Sequence, residues 1–466
     1  MTAIVRDTTG REKGVATYAC VNGAWNTSPT LSLCGENLIQ IFDSGGGLNL
    51  GLDEGDNFGS DAFFNGNLLI VSAYSDDDGG TNRGAVYIFE EEGNQWKQTH
   101  KISDHTTSTV AADRFTDTKT DVNLDNNDAF GDSVSLSGNL LAIGADWSDD
   151  NGGINNGNNN GAVYLFEKSG RRWRQVHKFS NHTNSGVSGT RFTTTQTDVD
   201  LDDDDQFGHS VSLSGNWLAV GARRDDDGGS GPNISNTNRG AVYLFQKQTD
   251  GTWRQKHKFS DHTTLTATAS RFTTTKTDVN LDDNDSLGSS VFLSGNMLVS
   301  GASGGNGKGA VYLFEKQTGG TWRQAHKFFD HTTLTATASR FTTTKTDVNL
   351  DAGDSFGTSV SLSGDMLTVG AWQDDDGGTD RGAVYLFEKE GNKWEQKHKY
   401  SDHTTNTNDA TRFTSKNTDV NLQDRDYFGS SHYLYGTKLF VSLQHAEDGG
   451  LNTGAMYIFT WQGDTR

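Results

Sequence analysis

TDVNLDDNDSLG, at 277–288, is one of five versions of the same acidic phrase. The others are TDVNLDNNDAFG at 120–131, TDVDLDDDDQFG at 197–208, TDVNLDAGDSFG at 346–357 and TDVNLQDRDYFG at 418–429. Aligned on the closing Phe-Gly pair, six copies begin at Phe58, Phe130, Phe207, Leu287, Phe356 and Phe428, the fourth with Leu287-Gly288 in that place. Such repetition overrides the several domains that 466 residues would otherwise suggest. Spacings of 69 to 80 residues are long for a repeat, so each copy is expected to hold four strands and an insert.

Copy three shows those strands. Strand A is SVSLSG (210–215), strand B NWLAVGA (216–222), strand C GAVYLFQKQ (240–248) and strand D WRQKHKFSD (253–261). A and B meet at Ser-Gly-Asn and C and D at TDGT, both hairpin chemistry. Trp253, Gln255, His257 and Phe259 share one face of D, with Arg254, Lys256 and Lys258 on the other. A row of cations keeps a sheet edge from pairing with strangers, so D is expected to be the perimeter strand. With 56 Gly, 2 Pro and abundant Thr, Ser, Asn and Asp, the composition suits short strands and turns.

The sixth copy stops after its C strand, GAMYIFTWQGDTR. ENLIQIFDSGG (36–46) stands where other copies carry strand D. The expected fold is therefore all-β, a six-bladed β-propeller over 36–466 whose N-terminal strand closes the last blade and hides two edges. Residues 1–35 do not fit the repeat and read as the end of another module. Within them Cys20 and Cys34 bracket a short loop, read as one disulfide of an oxidising compartment, with two free thiols as the alternative.

FGxSVSLSGNxLAVGA, then DDDGG, then GAVYLF, resembles the FG-GAP repeat of integrin α-subunit propellers and, more closely, bacterial extracellular FG-GAP arrays. The resemblance covers roughly 37–466. It implies a β-propeller, an extracellular or cell-surface address and a role in adhesion or ligand binding. Two departures stand out. The integrin propeller has seven blades where six copies are counted here. Its calcium loops sit in the A–B hairpin, which here is a tight LSGN or LSGD turn, so the family's metal residues do not carry over by position.

In an up-and-down blade the B–C loops and the D–A crossovers leave by one end. The TDVNLDDND segments are crossovers. The DDDGG segments (76–80, 225–229, 374–378, with variants at 149–153 and 447–450) are B–C loops, so both acidic series are expected on one face. Each crossover spaces oxygen donors as D-x-N-x-D-x-x-D, a partial shell for calcium, which takes six to eight oxygens. The candidate ligands are Asp121, Asn123, Asp125 and Asp128; Asp198, Asp200, Asp202 and Asp205; Asp278, Asn280, Asp282 and Asp285; and Asp347, Asn349, Asp351 and Asp354. The segment before Phe428 has Asp419, Asn421 and Asp426, with Gln423 in the third place; the first copy has only Asn49, Asp53 and Asp56. The alternative reading is solvated caps, because most copies lack the mid-loop Gly of an EF-hand and because Asp and Asn are ordinary turn residues.

Ten of the thirteen histidines occupy repeated places, in W-x-x-x-H (His100, His177, His257, His326, His398) or SDHTT-like segments, and are read as scaffold. Catalysis needs one asymmetric constellation, and none is visible, so no enzyme is expected. The B–C loops differ while the framework holds. Trp147, Arg223, Arg224, Trp372, Gln444 and His445 break the symmetry there and are the candidate ligand-binding residues. A net charge of −22 points away from nucleic acid and anionic membranes and towards cations, a protein or a glycan. No run of about 18 apolar residues exists, and MTAIVRDTTGREKG carries no apolar leader core, so the surface address rests on the resemblance.

Overall fold

The computed structural model describes residues 2–6, 12–17, 20–21, 24–25, 52, 55–65, 67–92, 95–104, 119–149, 159–181, 195–226, 237–261, 275–330, 344–391, 393–402, 416–420, 422–436, 438–443 and 455–460. These residues form β-strands, turns and one 3-10 turn at Gly305–Gly307. They fall into two compact units, 50–295 and 1–49 with 296–466.

Strands A to D fold as the sequence predicts. In copy three they are Phe207–Ser214, Trp217–Ala222, Ala241–Lys247 and Trp253–Ser260, each antiparallel to the next. The SGN turn works because Gly215 sits at φ 57°, a left-handed position a β-branched residue would resist. Copies one, two and five repeat this order.

Strand D is not the perimeter. A fifth strand, E, lies outside it and runs parallel: Thr275–Asp278 pairs with D from His257↔Thr275 to Ser260↔Asp278. The same addition is made by Lys119–Asp121, Thr195–Asp198, Thr344–Asp347 and Lys416–Asp419. The cations of D have another use, because the strand is bulged. Its register against C shifts between Leu244 and Phe245, which breaks simple alternation and buries Lys258.

In copy six, Phe428–Tyr435, Lys438–Leu443 and Ala455–Thr460 are followed in the sheet by Thr2–Arg6, parallel to the last of them, and then by Glu12–Thr17. The strand beside Ala455–Thr460 thus comes from farther up the chain than 36–46, which lies outside the described residues. Cys20 is on the short strand Cys20–Val21; Cys34, and with it the expected disulfide, also lies outside them.

Neighbouring copies interlock through glycine. Gly240, at φ 80°, meets Leu287 of the next copy in a parallel bridge, and a Cβ there would stand 2.2 Å from the Leu287 carbonyl oxygen. Gly161 meets Phe207, and Gly382 meets Phe428, in the same way. The Phe then buries its ring edge-on against its own copy's Tyr and Phe, as Phe207 does on Tyr243 at 5.3 Å and Phe245 at 6.1 Å. Full burial of such a ring contributes about 1.5–3 kcal/mol. Strands A also touch: the Leu213 amide donates to the Ser135 hydroxyl and the Leu293 amide to Ser212.

In copies one, two, three and five the B–C loop is closed at its base by a backbone bond, from the Gly84, Gly161, Gly240 and Gly382 amides to the carbonyls of Asp76, Ser148, Asp225 and Asp374.

Candidate functional site

The two acidic series do leave by the same end of their sheets, because they hydrogen-bond to each other. In copy one Arg83, in the B–C loop, donates from Nε to Asn126 of the following crossover at 3.0 Å and from Nη1 to Asp104 at 2.6 Å. The backbone agrees: the Asn127, Ala129 and Phe130 amides donate to the Thr81, Asn82 and Arg83 carbonyls. Arg239 ties Asp261 and Asp283 together likewise, and Arg381 ties Asp402 and Asp424.

Within a crossover the acids have unlike fates. Val and Leu of the TDVNL phrase are buried (Val122, Leu124, Val279, Leu281), which nails the segment down. The third-position carboxylates Asp125, Asp202, Asp282 and Asp351 are exposed, as is Asp347, whereas Asp121 is buried; Asn123 and Asn349 are half-buried, and Asp200 and Asn280 are exposed. The fourth-position Asp128, Asp205, Asp285, Asp354 and Asp426 are all buried. Each turns back on its own loop. Asp128 accepts from the Asp125 amide at 2.9 Å, Asp285 from Asp282 at 2.9 Å, and Asp426 from Gln423 at 2.7 Å. The turn between them needs a left-handed residue, supplied by Asn127, Asp204, Asn284, Gly353 and Arg425. Asp198, Asp278 and Asp419 lie on strand E, with no side chain described; Asn421 lies outside the described residues.

The first Asp of DDDGG is buried as well. Asp225 accepts from the Tyr243 hydroxyl at 2.7 Å and from Lys258 Nζ at 2.8 Å, and Lys258 also donates to Tyr243. Asp76 with Tyr87 and Lys101, and Asp374 with Tyr385 and Lys399, repeat the triad. In copy two Ser148 replaces the Asp, and Lys178 stays 4.5 Å from the Tyr164 ring centre. Burial, with Asp374 beside it, pushes Asp354 up to about 8; burial and Asp225 push Asp205 up too.

The W-x-x-x-H histidines pack as scaffold, and those of the SDHTT-like segments lie outside the described residues. His257 Nε2 meets Thr277 Oγ1 on strand E at 2.7 Å, and the ring stacks 4.5 Å from Phe259. Thr197, the partner of His177, donates its one hydroxyl proton to the Trp253 carbonyl of the next copy, so His177 donates from Nε2.

Symmetry breaks at two positions, the residue after Phe-Gly and the residue after strand B. Down the six copies the first reads Ser60, Asp132, His209, Ser289, Thr358, Ser430, and the second Tyr74, Asp146, Arg223, Ser303, Trp372, Gln444. In copies two and three they gather charge. His209 Nδ1 lies 3.0 Å from Asp132 Oδ2 and 3.1 Å from Asp146 Oδ2. Among the described residues, these three form the one group of His, Cys, Asp or Glu side chains whose ligand atoms come within 4.8 Å of one another. Arg223 donates from Nε to Gln206 at 2.7 Å and adds positive charge near Asp146 and His209. Burial pulls the imidazole pKa down, but Asp132 and Asp146 outweigh it and hold His209 at about 9. Burial and then Asp132 raise Asp146.

Of the symmetry-breaking residues picked from sequence, Arg223 belongs to this cluster. Trp147 stands next to Asp146 with 49 % of its surface exposed, and Arg224 is exposed. Trp372 packs 5.0 Å from the ring of Tyr427, both within the unit that holds 296–466, and Gln444 and His445 lie outside the described residues. Asp132, Asp146 and His209 were visible in the aligned columns as the places where small neutral residues give way to charge.

A family model, the FG-GAP repeat, matches residues 52–89, 120–166, 193–245 and 346–387, which are copies one, two, three and five. No curated protein matches the chain.

Proposed function

From an all-β chain that carries FG-GAP repeats, we infer a six-bladed β-propeller, closed by its N-terminal segment, that binds a partner and performs no chemistry. Binding is through the end of the sheets where B–C loops and crossovers meet. The observation that supports this is the contrast between a fixed base and variable content. The same clasp from Gly to Asp or Ser closes loops as different as DDDGGTNRG and DDDGGSGPNISNTNRG. A rigid scaffold that holds unlike loops on one side is how binding sites are usually presented.

The partner is a protein at a cell surface or outside the cell, met by a strongly anionic face. Calcium belongs to the same proposal: the exposed carboxylates of Asp125, Asp202, Asp282 and Asp351 would take it. A second reading, a calcium-dependent lectin, is favoured by one observation, the exposed Trp147 ring on that face. Probing the purified chain on a panel of extracellular proteins and on a glycan array, in millimolar calcium and in EDTA, separates them. The protein panel is expected to give the hits, weakened by EDTA. Hits on glycans alone, lost on chelation, would replace adhesion by the lectin, and silence on both would overturn the binding reading.

A further inference from the structure

We propose that Asp132, Asp146 and His209 form a binding site for one divalent metal ion of the zinc and manganese type, distinct from the crossovers. The argument starts from hydrogen-bond accounting. A single imidazole nitrogen, His209 Nδ1, faces two carboxylate oxygens at 3.0 and 3.1 Å, and one nitrogen donates one proton. That proton goes to Asp146 Oδ2. Asp132 Oδ2 and Asp146 Oδ1 are then buried oxygens with no hydrogen bond, and the Asp146 side chain is only 2 % exposed. A buried acceptor left unmet opposes folding, and more so when charged. Elsewhere in this chain buried carboxylates are met in full view: Asp225 by Tyr243 and Lys258, Asp285 by its own loop amide. Among the carboxylates of the described residues these two orphaned oxygens are the exception, and both belong to the carboxyl groups that face His209 Nδ1.

A cation in place of the shared proton resolves the account. Donors about 2.1 Å from one ion stand about 3.0–3.4 Å from each other, which is the spacing His209 Nδ1 already keeps from Asp132 Oδ2 and Asp146 Oδ2. Two carboxylates neutralise a divalent ion. The imidazole suits zinc, the two carboxylates suit manganese as well, and calcium and magnesium take oxygen alone. Asp132 and His209 keep 21 % of their side chains exposed, so the ion would be reached from solvent, and three protein ligands leave a coordination position for water or for an oxygen of a bound partner. The site occurs once because the two columns that build it carry Asp, Asp and His only in copies two and three.

The test is calorimetric titration of the EDTA-stripped full chain with zinc and with manganese, beside Asp146→Asn and His209→Gln. Loss of outer partners alone weakens metal sites 10–100-fold. Removal of a ligand is therefore expected to weaken the tightest event by about 100-fold or more. Asp203→Asn, at an exposed crossover carboxylate outside the candidate calcium set, is expected to leave it unchanged. Asp132→Asn, at a half-buried position, serves if Asp146→Asn alters the metal-free melting temperature. Wild-type chain that binds neither ion more tightly than these variants would overturn the site and leave a plain imidazolium–carboxylate cluster. So would an ion lost with Asp203→Asn.

Discussion

The crossovers and the Asp132–Asp146–His209 cluster are both acidic, both partly buried and both at turns, yet they treat their carboxylates in opposite ways. A crossover buries the fourth Asp of its set and satisfies it at home, with an amide three residues back. The cluster draws its members from two copies and leaves two oxygens without hydrogen bonds. The difference is that the first arrangement is written five times and the second once. What recurs in every copy holds the array together. What departs from the pattern is where a ligand finds unspent polar groups.

The contrast breaks most visibly on the scaffold side. Lys258→Met removes the ammonium that neutralises Asp225 and sits near Asp205, and leaves buried carboxylates uncompensated. Removal of one partner of a buried ion pair costs about 3–5 kcal/mol, and urea unfolding of the variant is expected to show a loss of that size. A loss below about 1 kcal/mol would mean that the triad is peripheral to the fold.

Asp285→Ala sharpens the comparison. It removes the acceptor for the Asp282 amide, a loop cap expected to be worth about 1–2 kcal/mol, equally in calcium and in EDTA. A penalty seen in calcium alone would turn the capping carboxylate into a metal ligand. Trp147→Ala marks the lower bound. Its ring is about half exposed, so thermal unfolding is expected to move by less than about 0.5 kcal/mol while partner binding falls.

Most of the framework could be read from residues. Hairpin turns, the GAVYLF strand and the location of both acidic series at one end follow from local chemistry and strand order. Strand E could not. It is three or four residues, such as TKTD, at the end of a Thr-rich insert, and its parallel partner lies about twenty positions earlier, at a distance where local pattern carries no signal. The cation row on strand D misled for a related reason. Alternation assumes an unbroken pleat, and the bulge opposite Leu244 and Phe245 turns Lys258 inward, to serve Asp225 instead of guarding an edge.

The site was half legible. Reading down the column after strand B picked out Arg223, Trp372 and Gln444 but passed over Asp146, which looked like one more Asp among many. The column after Phe-Gly, with Asp132 and His209, draws notice only once the interlock of copies places it beside the other. Spacing along one crossover likewise cannot tell Asp282 from Asp285. Their separation into an exposed and a buried carboxylate depends on the left-handed turn at Asn284.

The clasp at the base of each B–C loop has a practical meaning for change. Because the Gly240 amide closes the stem on Asp225, and Thr237 and Asn238 are held by Asp226 and by the next crossover, whatever lies between Asp226 and Thr237 is, to the sheet, a pendant ring. Doubling the length of such a ring costs only about 0.6 kcal/mol in closure entropy. Foreign sequence could therefore be spliced between Asp226 and Thr237, with the sheet beneath insensitive to its length.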